Sequence, residues 1–125
     1  MQEGKFVILC IDDDPDILDS LKVILEGNGY RYVGAATAEE GLRHYRAESP
    51  DLVIVDLMIE EVDSGANFVK ELKLLGGNVP IYLLSSVGDS LNVSTNYAEL
   101  GFTGILQKPV SSRTLLGLLG QKLKP

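Results

Sequence analysis

Residues 6–15 read Phe6-Val7-Ile8-Leu9-Cys10-Ile11-Asp12-Asp13-Asp14-Pro15: an apolar run, three carboxylates and a proline. Unbroken hydrophobicity over so short a run describes a strand buried on both faces, as in a parallel sheet covered by helices, and places it at Lys5–Ile11. Asp14-Pro15 then starts a helix. The aspartate can accept a backbone N–H as N-cap, and proline at the first helical position gives up an N–H that had no partner anyway. Ile17, Leu18, Leu21, Ile24 and Leu25 fall on one face, with Asp19, Lys22 and Glu26 on the other. Gly27-Asn28-Gly29 ends the helix.

The same alternation continues along the chain. Tyr30–Ala36 reads as a second, weaker strand, and Thr37 caps a helix over Ala38–Ala47 that stops at Ser49-Pro50. Asp51–Val55 is a third strand, with Asp56 at its carboxyl tip. A polar loop leads to a helix near Ala66–Leu75, and the cluster Gly76-Gly77-Asn78-Val79-Pro80 makes a turn. Ile81–Leu84 is a fourth strand ending at Ser85-Ser86, followed by Ser90–Leu100, a helix of poor propensity through Asn92, Val93, Thr95 and Asn96. Gly104–Gln107 is a fifth strand, and Ser111 caps a last helix reaching about Leu123. Five strand–helix repeats predict an α/β fold, a doubly wound parallel sheet with helices on both faces.

At 125 residues the chain fits one domain, spanning 1–125, and its 45% hydrophobic content is enough for one core. The net charge of −7 repels phosphate backbones and anionic membranes, so neither nucleic acid nor membrane is expected as a direct partner. A divalent cation is the natural complement. The single cysteine, Cys10, sits in a strand and excludes an internal disulfide. The run before Asp12 is too short for a signal-peptide core, no stretch is long enough to span a membrane, and a cytoplasmic protein is expected.

Ligands of open α/β sheets bind outside the carboxyl ends of the strands. Polar residues gather at those ends: Asp12-Asp13 after strand one, Asp56 after strand three, Ser85 after strand four, Lys108-Pro109 after strand five. Carboxylates meeting at one edge repel one another, and a hard cation such as Mg2+ with oxygen ligands relieves the conflict. Asp14 is left as a helix cap. An exposed carboxylate at Asp56 can attack phosphorus and form an acyl phosphate. That transfer depends on charge neutralisation, which the Lys108 ammonium can share, while the Ser85 hydroxyl can donate to a phosphoryl oxygen. Taken singly, Lys108 and Ser85 are ordinary surface and strand-end residues; their coincidence with the aspartates gives them weight. His44, the only histidine, pairs with no other catalytic residue and is expected at the surface or boundary of the second helix.

Four stretches in order carry a family resemblance: Ile8-Leu9-Cys10-Ile11-Asp12-Asp13-Asp14-Pro15, Asp51-Leu52-Val53-Ile54-Val55-Asp56-Leu57-Met58, Pro80-Ile81-Tyr82-Leu83-Leu84-Ser85, and Lys108-Pro109. The chain resembles bacterial response-regulator receiver domains along essentially its whole length. The resemblance implies a flavodoxin-like (βα)5 fold with strand order 2-1-3-4-5. It implies Asp56 as phosphoacceptor, Asp12, Asp13, Asp56 and the Met58 carbonyl around Mg2+, Ser85 at the switch position and Lys108 as the phosphate-contacting lysine. Pro109 makes a cis Lys108–Pro109 bond possible. The implied donor is a histidine kinase or histidine phosphotransfer protein, with slow loss of the phosphoryl group to water, and a downstream effector or a second copy as further partner.

Some positions depart from the family pattern. Glu60 stands where proline is common, Ser64 follows Asp63 where glycine is usual, and Ser86 replaces a common alanine. Ile105 stands where many receivers carry a rotating aromatic, so phosphorylation is expected to be reported through Ser85–Val87 and the weak helix after it. The altered loop is the sole support for the alternative of a pseudo-receiver, a binding module independent of phosphorylation. A flavin-binding fold needs an uncharged phosphate loop where Asp12-Asp13-Asp14 stands. A phosphatase of the haloacid dehalogenase type needs its nucleophile on strand one. In the last helix, Leu115-Leu116-Gly117-Leu118-Leu119-Gly120 holds more apolar surface than one face requires, and its glycines suggest a close helix approach.

Overall fold

The computed structural model describes residues 4–56, 79–85, 102–108 and 110–123. Its elements are β1 (Val7–Ile11), α1 (Pro15–Glu26), β2 (Arg31–Ala35), α2 (Ala38–Glu48), β3 (Leu52–Asp56), β4 (Ile81–Ser85), β5 (Gly104–Gln107) and α3 (Ser112–Lys122). The five strands form one parallel sheet in the order β2-β1-β3-β4-β5, the order the resemblance implies. The expected helices near Ala66–Leu75 and Ser90–Leu100 lie outside the described residues. No described helix is long and apolar enough to cross a membrane.

β1, β3 and β4 are buried along their whole length, and alternate residues supply two cores. Val7, Leu9, Ile11, Val53, Val55, Ile81 and Leu83 pack on one side, against Ala38, Leu42 and Tyr45 of α2. Ile8, Cys10, Leu52, Ile54, Tyr82, Leu84 and Leu106 pack on the other, against Leu21 and Leu25 of α1 and Leu115 and Leu119 of α3. Both-sided burial explains why these strands are continuous apolar runs. Asp51 fixes their stagger: its carboxylate accepts the Val7 N–H at 2.8 Å, and its own N–H donates to the Val7 carbonyl at 2.7 Å.

Local chemistry sets the helix ends. The Asp14 carboxylate accepts from Asp16 N–H at 2.9 Å, Thr37 from Glu40 N–H at 3.1 Å, and Ser111 from Thr114 N–H at 3.4 Å. α1 stops as expected, but the left-handed residue is Gly29 (φ 85°) rather than Gly27, whose φ is −70°. α2 runs to Glu48, one residue past expectation, and ends in a left-handed Ser49 (φ 48°) before Pro50. Asp56 and Ser85 fall inside β3 and β4 rather than beyond them. The close approach suggested for the last helix is not met among the described residues, where a Cβ at Gly117 or Gly120 would meet no atom within 4 Å. A close approach does occur at Gly104, where the Tyr82 ring of the neighbouring strand covers the bare backbone.

Candidate functional site

Strand register brings the site together. Cys10 pairs with Ile54 and Ile11 with Val55, so the next step of the ladder sets Asp12 beside Asp56. Asp12 and Asp56 share the parity of Cys10 and Ile54, and Lys108 shares that of Leu106, so all three belong to the side covered by α1 and α3. The β1 and β5 ends are each tied to a neighbour. Asp12 N–H donates to the Ala35 carbonyl at 3.1 Å, and Lys108 N–H to the Ser85 carbonyl at 2.8 Å. Ser85 is itself buried at the end of β4.

Asp12 is fully buried and Asp56 is 7% exposed, an unusual setting for carboxylates. Asp12 Oδ1 accepts the Asp14 N–H at 2.9 Å, which fixes the carboxylate plane. Its Oδ2 lies 2.9 Å from Lys108 Nζ, an ion pair, and has no further partner among the described residues. The same Nζ is 3.6 Å from Asp56 Oδ2. Burial pulls the Lys108 ammonium down, but its close contact with Asp12 and the charges of Asp56 and Asp12 outweigh that, leaving its pKa above the ordinary lysine value. Burial, followed by the charge of Asp12, pushes the Cys10 thiol far up, which keeps it neutral and unreactive.

One carboxylate oxygen from each of Asp12, Asp13 and Asp56 lies within 4.8 Å of the others, with Asp13 exposed. An all-oxygen donor set, a buried Oδ2 facing only Lys108 among the described residues, and the exposure of Asp13 fit a hard divalent cation such as Mg2+, which keeps water or phosphoryl oxygens in its shell. Met58, Pro109, Ser86 and the altered loop Glu60–Gly65 lie outside the described residues, as does the expected Ser85–Val87 reporting path beyond Ser85. Ile105 is half-buried and packs against the core on the α2 side. His44 is partly exposed on α2, with Nε2 3.8 Å from Glu40, away from the strand ends.

Two features escape the sequence reading. The pairing of Lys108 with Asp12 needs the strand register, which no motif supplies. A surface groove of about 510 Å³, lined by Asp19, Ser20, Val23, Ile24, Val110 and Ser112, runs between α1 and the start of α3. Its signal in the sequence is Val23, an apolar residue off the buried stripe of its helix and 72% exposed.

Residues 8–119 match the family model described as the response regulator receiver domain. The chain is 32% identical over 117 residues to the transcriptional regulatory protein GlrR of Escherichia coli, covering 94% of this chain and 26% of that protein. It is 36% identical over 115 residues to the probable transcriptional regulator ycf27 of Porphyridium aerugineum, covering 92% and 46%. Among solved structures it superposes on a receiver domain protein of Clostridium thermocellum with TM-score 0.82 and 30% identity, over 94% of each chain. With the chemotaxis response regulator CheY4 of Vibrio cholerae the TM-score is 0.84 at 28% identity, over 96% of this chain and 100% of that one. The chain spans between about a quarter and about half of the curated relatives it matches, from 26% to 47% of their length. The chain belongs to the response regulator receiver domain family.

Proposed function

We propose that residues 1–125 act as one receiver domain that accepts a phosphoryl group on Asp56 from a phosphohistidine donor, a histidine kinase or a histidine phosphotransfer protein, in the cytoplasm. The observation that carries this is the convergence of Asp12, Asp13 and Asp56 with Lys108 Nζ set between Asp12 and Asp56. An Asp56 carboxylate oxygen attacks phosphorus; the O–P bond forms as the N–P bond of the donor breaks, and that electron pair leaves on the imidazole. Lys108, 3.6 Å from Asp56, neutralises charge on the incoming phosphoryl oxygens, and the Ser85 hydroxyl donates to one of them. Asp12, Asp13 and Asp56, with the Met58 carbonyl by family resemblance, would hold Mg2+, which supplies further neutralisation of the phosphoryl charge.

The acyl phosphate then biases the domain toward a second conformation that a downstream effector or a second copy reads. No observation favours the pseudo-receiver, since the acidic trio and the lysine meet at one place.

Incubation with acetyl phosphate and Mg2+ followed by intact-mass measurement tests this function. Wild type gains one phosphoryl group, and Asp56→Asn gains none. If wild type takes up neither phosphoryl nor beryllium fluoride, phosphoacceptance is overturned in favour of the pseudo-receiver.

A further inference from the structure

We propose that the Lys108 ammonium is a placeholder for the divalent cation: it neutralises Asp12 Oδ2 while the cation is absent and must be displaced when the cation binds. The proposal rests on the metal reading above and adds what sets the affinity of that site. Asp12 Oδ1 is engaged by the Asp14 N–H, so the oxygen open to a hard cation is Oδ2, and Nζ already stands 2.9 Å from it. Oδ2 is sealed from solvent with Nζ against it, so two cations sharing it repel with little water between them. Nζ has somewhere to go. Asp56 Oδ2 is 3.6 Å away, and the Lys108 side chain is 17% exposed. Arrival of the cation therefore hands the ammonium from Asp12 toward Asp56, where the phosphoryl group is to be received. One lysine thereby couples metal occupancy to the readiness of the acceptor.

Two measurements test this. Calorimetric titration with Mg2+ compares wild type, Lys108→Met, Lys108→Gln and Lys22→Met; the last removes the same charge from an exposed position on α1. Loss of Lys108 should tighten Mg2+ binding about tenfold and loss of Lys22 by less than about twofold, because only the first empties the oxygen the cation takes. In wild type, the side-chain NMR signals of Lys108 should shift saturably with Mg2+, with the midpoint found by calorimetry. This second measurement needs no variant to fold. Unchanged or weaker binding in both Lys108 variants, equal gains at Lys22 and Lys108, or a Lys108 signal unmoved at saturation overturns the placeholder while leaving the metal site standing. Failure of wild type and every variant to bind Mg2+ removes the metal reading itself, and the proposal with it.

Discussion

A carboxylate without water needs a countercharge, and for Asp12 that charge is Lys108, one residue past the strand at one edge of the sheet. Removing one partner strands the other. Lys108→Met should therefore cost about 3 kcal/mol in the absence of divalent cation, the low end for a broken buried pair, because the Lys108 side chain is itself 17% exposed. Adding Asp12→Asn to Lys108→Met should return much of that loss. Urea unfolding of the two single variants and the double variant checks both, and additive losses would show the pair is uncoupled. Asp12, Asp13, Asp56 and Lys108, which the fold brings together, stood out in the sequence because charged residues follow apolar runs. That Lys108 pairs with Asp12 was not legible, since a motif and a strand order leave open which carboxylate a lysine reaches across the strand ends.

Elements were legible wherever a local rule sets their ends. Asp14, Thr37 and Ser111 each cap the helix they were expected to cap, because an N-cap needs only a side-chain oxygen near the next turn. The α1 terminus was less readable: Gly27 and Gly29 both suit it, and only the backbone path makes Gly29 the left-handed one. In α3, Leu115 and Leu119 are buried while Leu116 and Leu118 are half-buried, so the apolar excess is shared between core and surface. Gly117 and Gly120 have helical backbone, and a Cβ at either would meet no atom of the described residues within 4 Å. Gly117→Ala and Gly120→Ala should each raise stability by up to about 1 kcal/mol, by lowering the entropy of the unfolded chain. A thermal or urea melt reads this; destabilisation by either would mean that the added methyl meets something.

At the scale of the whole molecule, four titrating groups among the described residues are shifted in the same direction. Cys10, Tyr32, Tyr82 and Lys108 all stand above their ordinary values, with burial the first cause for Cys10, Tyr32 and Tyr82, and carboxylate contacts overriding burial for Lys108. Tyr32 is pushed up to about 12. Each group holds its proton more tightly folded than unfolded. Its contribution is complete below the ordinary pKa and is lost as pH climbs toward the folded value. Stability should fall from about pH 8.5, where an unfolded thiol begins to ionise, at up to about 1.4 kcal/mol per pH unit for that one proton. Cys10→Ala should remove that part of the slope, whatever it does to stability at pH 7; urea melts between about pH 8 and 10 decide it.

The doubly wound plan itself was readable from five alternations, while the strand order came through the family resemblance and was met by the sheet. The sheet also counts residues. Cys10 and Asp12, Ile54 and Asp56, Leu106 and Lys108 each stand two apart, with Asp12 and Lys108 one residue past their strands, so the spacing that buries the core also aims the chemistry. A single inserted or deleted residue inside β1, β3 or β5 would turn core and site over together. Substitution can retune this site, but strand length cannot drift beneath it, and changes in length are confined to the connections between elements.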